Sequence, residues 1–122
     1  MTERAVVLGV VPGIDVPFAS ISFSYEPGNE RSVLVTMHGA RNLRLRFKGA
    51  IALRFEDDCP GFDPLPHPLP MLRDGVTFPL LKIEESKWLA QWHPVHSNLA
   101  HFALLSLDDL VQLLAKPDVE VL

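Results

Sequence analysis

The sequence predicts a mainly β fold, an antiparallel sandwich or partly open barrel with one short helical segment. Apolar residues alternate with charged residues or alanine from Leu43 to Glu56, on both sides of Gly49. This is the period of a strand that has one face in water. A second alternation runs from Ile21 to Tyr25. Turn-forming proline, glycine and asparagine residues separate these stretches, as they do in antiparallel sheets.

The central stretch, residues 43–56, organises the predicted core. Its apolar register skips a bulky residue at Gly49, so a bulge, a bend or a close backbone approach is expected there, within one long strand or between two. A turn at residues 26–30 predicts a hairpin between strands at 21–25 and 32–37. The predicted core consists of Phe23, Val35, Leu45, Phe47, Ile51, Leu53, Phe55 and Phe102.

The remaining elements fit one domain that spans residues 1–122. Residues 5–11 predict a short buried strand. Five prolines between residues 60 and 70 exclude a helix or an interior strand, and we expect a loop that crosses one end of the sheet. The strand pattern resumes at residues 76–83. A short helix is expected within residues 84–92 with Ser86 as its N-cap, followed by a strand at 99–105.

The C-terminal stretch is open to two interpretations. Leu107, Leu110, Val111 and Leu114 have helical spacing after a cap-like segment at 106–109, which favours a helix and an α+β fold. The alternative is a hairpin turn at 107–109, a strand at 110–115 and an extended end at 119–122.

Charge and cysteine content restrict the class of partner and the compartment. The formal net charge is -4, and a net acidic protein is a poor nucleic-acid binder because phosphate neutralisation supplies most of that affinity. Cys59 is the single cysteine, so no internal disulfide can form. The apolar run at 5–11 is too short for a membrane span and lacks the flanks of a secretory signal. We expect a cytoplasmic protein with neither a nucleic acid nor a membrane as partner.

Two groups of residues are candidates for partner binding. Arg44, Arg46 and Lys48 share one strand face, which could bind an acidic protein, although such charges commonly form a solvated face or protect an edge. Trp88 and Trp92 are four residues apart and fall on one side of a short helix, where they could anchor the core or an interface.

An alternative site combines acidic residues, a thiol and histidines that could act in acid–base or nucleophilic chemistry: Asp57, Asp58, Cys59, His93, His96 and His101. Their spacing matches no specific zinc motif. The sequence also contains no GxSxG, no CxxC and no glycine-rich phosphate loop. We therefore expect no catalytic residues, metal or cofactor, and the first hypothesis is a non-enzymatic protein-binding protein. The second is a small-molecule-binding or hydrolytic domain.

Five short motifs lie between residues 45 and 109: LRF at 45–47, LRFE at 53–56, ESKWL at 85–89, HF at 101–102 and DD at 108–109. Together they resemble small uncharacterised bacterial proteins, some of which are grouped with contact-dependent toxin immunity proteins. The resemblance implies an accessory or immunity-like protein of a bacterial cytoplasm. It also implies a strand after the HF motif, which favours the hairpin over the helix at 107–115.

Assembly is the last expectation. A long strand carries unpaired backbone groups at an edge, and the leucine-dense C-terminal third exceeds what one small core readily encloses. The sequence therefore predicts a homodimer with two-fold symmetry, whose interface consists of the segment from Leu99 onward and the short helical turn that carries Trp88 and Trp92.

Overall fold

The structure is a computed structural model that describes residues 4–12, 14, 18–28, 31–57, 72–73, 76–77, 79–92, 98–107 and 109–122. Strands dominate these ranges. They are β1 (Arg4–Val7), β2 (Ser20–Glu26), β3 (Ser32–His38), β4 (Leu43–Lys48), β5 (Ala52–Asp57), β6 (Leu72–Arg73), β7 (Val76–Thr77), β8 (Leu80–Glu84), β9 (Ala100–Leu105), β10 (Asp109–Ala115) and β11 (Val119–Val121), with one short helix, α1 (Lys87–Ala90), between β8 and β9.

The strands form two main antiparallel sheets that face each other. The five-stranded sheet has the order β1-β8-β9-β10-β5, and the four-stranded sheet has the order β11-β4-β3-β2. β6 and β7 form a separate two-stranded pair. The predicted antiparallel sandwich with one short helical segment is confirmed. So is the hairpin of β2 and β3, in which Phe23 lies opposite Val35.

A bent two-stranded ribbon connects the two sheets. Residues 43–57 form two strands, β4 in the four-stranded sheet and β5 in the five-stranded sheet. β11 pairs with β4, and β10 pairs with β5. Two backbone hydrogen bonds continue the pairing through the bend, from Lys116 N to Lys48 O and from Ile51 N to Leu114 O, each 2.9 Å long. The predicted break at Gly49 is therefore the corner at which the ribbon changes sheets.

Gly49 has a φ of +61°, and a Cβ at this position would lie 3.0 Å from Cγ of Lys116. An L side chain in this left-handed conformation costs about 1 to 2 kcal/mol. We expect Gly49→Ala to lower the free energy of unfolding in urea by about that amount. Gly9→Ala is the control, because among the described residues no atom beyond its two chain neighbours lies within 4 Å of its added Cβ. An equal loss in both variants would contradict the role of the corner.

The core between the sheets confirms half of the predicted set as fully buried and corrects one member. Val35, Leu45, Phe47 and Phe102 are buried, and the Phe47 and Phe102 rings meet across the sheets with centroids 5.2 Å apart. Phe23, Ile51 and Leu53 are partly buried.

Phe55 is 42% exposed, so its predicted core position is wrong. Its strand, β5, is the last strand of the five-stranded sheet. An inward-facing side chain at an edge has sheet neighbours on one side only, so the partner sheet leaves part of it uncovered.

The C-terminal stretch is a strand, and the predicted helix and α+β alternative are wrong. β9 and β10 pair with each other, and β8 and β5 flank them on the two sides. Every residue of β9 and β10 is buried. The leucine-dense segment is thus enclosed within one chain, and its use in a homodimer stays a prediction.

Two other strand predictions change in extent. The N-terminal strand covers Arg4–Val7 rather than 5–11, and the stretch at 76–83 divides into β7 and β8. The predicted proline-rich loop, from residue 58 to residue 71, lies outside the described residues.

Candidate functional site

The basic face of β4 is largely neutralised within the chain. Arg46 donates to both carboxylate oxygens of Glu26, with Nε to Oε1 at 2.7 Å and Nη2 to Oε2 at 3.3 Å, and from Nη1 to Glu120 at 2.7 Å. Lys48 forms an ion pair with Glu120 as well. These four residues form one ion-pair network on the outer face of the four-stranded sheet. Of the predicted basic residues, Arg44 is the one that stays fully exposed.

The ion-pair network perturbs both of its carboxylates. Hydrogen bonds from Arg46 hold the pKa of Glu26 below its usual range. Hydrogen bonds from Lys48 and then Arg46 lower the pKa of Glu120. A carboxylate whose folded-state pKa is depressed stabilises the fold at pH values above its unfolded-state pKa, and this contribution is lost as pH falls through the folded-state pKa.

We therefore expect the melting temperature to fall as pH decreases below about 4.3, the ordinary pKa of glutamate. The double variant Glu26→Gln/Glu120→Gln should lose less melting temperature over this interval, as measured by circular dichroism at neutral pH and near pH 3. Glu85→Gln removes an exposed carboxylate outside the network and serves as the control. If the double variant loses as much melting temperature between neutral pH and about pH 3 as the native chain, the loss does not originate in Glu26 and Glu120.

Trp88, one of the two predicted tryptophans, lies on the opposite side of the sandwich from the basic face. Trp88 stacks between two side chains of the five-stranded sheet, with its ring 4.1 Å from the guanidinium carbon of Arg54 and edge-on to His101 at a centroid distance of 5.1 Å. Trp92 is half-buried just after α1. The five residues predicted to bind a partner therefore do not form one surface, and Trp88 contributes to packing.

His101 lies at the centre of a buried hydrogen-bonded chain. Its Nδ1 is 2.7 Å from Ser86 Oγ, and its Nε2 is 2.7 Å from Gln112 Oε1. A carbonyl oxygen can only accept, so His101 Nε2 donates to Gln112 Oε1, and in the neutral ring Nδ1 accepts from the Ser86 hydroxyl. Ser86 Oγ in turn accepts from Leu89 N at 3.0 Å, which confirms Ser86 as the predicted N-cap of α1.

At the Gln112 end of this hydrogen-bonded chain, one buried polar group has no partner among the described residues. Gln112 is 1% exposed, and its Nε2 finds no hydrogen-bond partner in the part of the chain that the structure describes. On the other side, a cavity of about 280 Å³ is lined by residues that include Lys82, Glu84, Ser86, Leu89, Leu99 and His101. The Ser86–His101 pair thus adjoins a cavity, which neither spacing nor composition indicated because Ser86 and Gln112 reach His101 only through the fold.

The alternative site can be located only in part. Asp57 ends β5 opposite Asp109 of β10, and His101 lies in β9. Asp58, Cys59, His93 and His96 lie outside the described residues. Among those that are described, no three His, Cys, Asp or Glu residues form a group that could hold a metal ion.

Aromatic side chains lie at the side of the sandwich where the edge strands β2 and β5 approach each other. The rings of Phe23 and Phe55 have centroids 5.6 Å apart. Tyr25 follows on the same face of β2 and is 52% exposed, and the guanidinium of Arg31 lies 4.5 Å from the centre of its ring. We call Phe23, Tyr25 and Phe55 the aromatic seam.

Sequence reasoning counted Phe23 and Phe55 as core and did not single out Arg31. The alternation of β2 does indicate that Phe23 and Tyr25 share a face. This alternation does not indicate that β2 is an edge strand, because strand order follows from long-range pairing.

The fold and these surfaces define an antiparallel β-sandwich with an exposed aromatic seam and a buried polar chain. Comparisons with protein-family models, curated proteins and solved structures find no match for this chain. Within the described ranges, no helix has the length and apolar character needed to cross a membrane.

Proposed function

We propose that the protein is a non-enzymatic binding protein that recognises another protein through the aromatic seam, as an accessory or immunity-like protein would. The exposure of Tyr25 and Phe55 is the observation that carries this proposal. Aromatic residues and arginine are enriched at protein interfaces and supply much of their binding energy. The seam combines two exposed rings with Arg31, whose guanidinium already stacks on Tyr25.

The charge distribution supports the seam over the basic face of β4. Arg46 and Lys48 already bind Glu26 and Glu120, and an acidic partner would have to displace these carboxylates. Arg31 is exposed and its guanidinium stacks on the neutral ring of Tyr25, and within the described residues it forms no ion pair. A partner with a carboxylate beside an apolar side chain would complement this surface.

Affinity capture from the native host, followed by binding of the purified candidate, tests this function. The double variant Tyr25→Ala/Phe55→Ala should raise the dissociation constant about thirtyfold or more, as expected for the loss of interface hot spots. Val121→Ala is the matched control, because it removes an exposed apolar side chain from β11, away from the seam. A candidate that binds both variants equally well would contradict the proposal, as would recovery of no protein at low salt.

A hydrolytic role at the cavity is the second candidate, and the 2.7 Å contact between Ser86 Oγ and His101 Nδ1 favours it. In this role the Ser86 hydroxyl would attack an acyl carbonyl while His101 accepts its proton and passes it to the departing group, and water would then hydrolyse the acyl-Ser86 ester. Gln112 would fix the orientation of the imidazole. A fluorophosphonate probe should then label Ser86, as located by mass spectrometry, and labelling should be lost in His101→Phe. Absence of labelling in the native chain would remove this candidate.

A further inference from the structure

From the edge of β2, which no described strand pairs with on the side away from β3, we infer that the seam's partner binds as an extended peptide strand that adds to β2 and carries a carboxylate toward Arg31. This inference rests on the proposed function and specifies how the seam is used. β2 is the last strand of its sheet, and its other side pairs with β3.

The direction of the β2 backbone follows from one hydrogen bond. Ile21 N donates to Asp109 Oδ2 at 2.9 Å, so the Ile21 N–H points away from β3. Successive residues of an antiparallel strand direct their N–H and C=O groups to alternate sides. Phe23 and Tyr25 therefore also direct their backbone groups away from β3. Across the ranges that the structure describes, no backbone hydrogen bond outside the β2–β3 ladder involves either residue.

Within the described residues, the edge of β2 also lacks the features that prevent strand addition. Proteins protect edges by short strands, by charges, by proline or by a covering element. β1 and β11 are short edges, and β5 carries Arg54 and acidic residues at its end. β2 has seven residues and no proline, and its single charge, Glu26, stands at the last position. Asp109 covers the Ile21 end, and no described strand or backbone group covers the backbone around Phe23 and Tyr25.

The surroundings of this edge specify the chemistry of the peptide. Strand addition provides affinity through main-chain hydrogen bonds and specificity through pockets for alternate side chains. Alternate residues of the peptide would lie over Phe23 and Phe55, and the residues between them would face Ser22 and Ser24 on the outer side. A carboxylate on the seam side would reach the exposed guanidinium of Arg31.

A second copy of the chain fits this edge less well. A two-fold partner would present its own Arg31 to the same basic surface, and the acidic residue of β2, Glu26, is already held by Arg46. Asp109 also occupies the Ile21 N–H, so two β2 strands could pair only over a short central stretch. An acidic peptide meets neither obstacle.

Selection from a phage-displayed library of random dodecapeptides, with the full chain as bait, tests this inference. The expected peptides alternate apolar and polar residues and carry at least one Asp or Glu. Binding should protect the backbone amides of Phe23 and Tyr25 from hydrogen exchange in the native chain. Peptides with helical spacing of apolar residues, or these two amides left unprotected, would overturn strand addition.

Two variants of Tyr25 separate the contribution of its ring to peptide binding from the contribution of its backbone N–H. Tyr25→Ala removes the ring and keeps the N–H, whereas Tyr25→Pro removes both, so the proline variant should bind the selected peptide about tenfold more weakly than the alanine variant. Circular dichroism checks that both are folded, and the exchange measurement on the native chain does not depend on either variant.

The outcomes distinguish the inference from the proposed function. Equal weakening by Tyr25→Ala and Tyr25→Pro, with unprotected amides, would leave recognition by the seam intact and overturn strand addition. Peptides that bind Tyr25→Ala/Phe55→Ala as tightly as the native chain would overturn both. Protection of the two amides in the peptide-free chain, together with a doubled mass by light scattering, would assign the edge to a second copy instead.

Discussion

Phe102→Ala is expected to lower the free energy of unfolding by about 3 to 5 kcal/mol, the usual cost of truncating a buried phenylalanine. Phe102 is 1% exposed and lies in β9, an interior strand of the five-stranded sheet. Its ring meets Phe47 of the opposite sheet at a centroid distance of 5.2 Å. The substitution therefore removes one contact between the two sheets and leaves a cavity that the flanking strands on both sides cannot readily close.

Phe55→Ala makes the same chemical change at the edge of the same sheet. Because the Phe55 ring is 42% exposed, the expected loss is only about 1 kcal/mol. Urea unfolding of both variants, followed by tryptophan fluorescence, provides the comparison. Equal losses would contradict the assignment of Phe55 to the seam and of Phe102 to the core.

The sequence was most informative where one strand face is buried and the other is wet. In β3 and β4 this contrast imposes a period of two, so the inward positions of Val35, Leu45 and Phe47 could be predicted. Gly49 was also recognisable, because the register changes there and a left-handed φ favours glycine. These features are local, and each is visible within a few residues.

The C-terminal strand was ambiguous for a physical reason. Both faces of β10 are buried, so after Asp109 its sequence is an apolar run that only Gln112 interrupts, without a period of two. Such a run cannot be assigned to helix or strand by periodicity. Leu110 and Leu114 have helical spacing only because nearly every residue around them is apolar.

The site depended on pairings that the sequence does not encode locally. Arg46 meets Glu120 because β11 pairs with β4, and the network that results neutralises a face that the sequence indicated as basic. Likewise, β2 and β5 become edges only once the strand order is established. The alternation of apolar residues predicts that the side chains of the aromatic seam are buried. They stay partly exposed because β2 and β5 are edge strands.

His101 is the position at which a single substitution tests the buried polar chain. The ring is buried, and both of its nitrogens are hydrogen-bonded, one to Ser86 and one to Gln112. It also supports the edge-on contact with Trp88. Removal of the ring takes the hydrogen-bond partner from buried Gln112 Oε1 and one of the two partners from Ser86 Oγ, which keeps its bond from Leu89 N. An unsatisfied buried group costs about 1 to 3 kcal/mol.

His101→Ala is therefore expected to lower the free energy of unfolding by about 3 to 5 kcal/mol, since the lost hydrogen bonds add to the cavity. His101→Phe keeps a ring of similar size without nitrogens and isolates the hydrogen-bond part of this loss. His38→Ala is the control: His38 Nε2 lies 2.7 Å from Ser22 Oγ on the exposed face of the other sheet, where water can replace either partner, so a loss below about 1 kcal/mol is expected. Urea unfolding measures all three variants. Equal losses in His101→Ala and His38→Ala would show that the buried chain stabilises the fold no more than a surface hydrogen bond does.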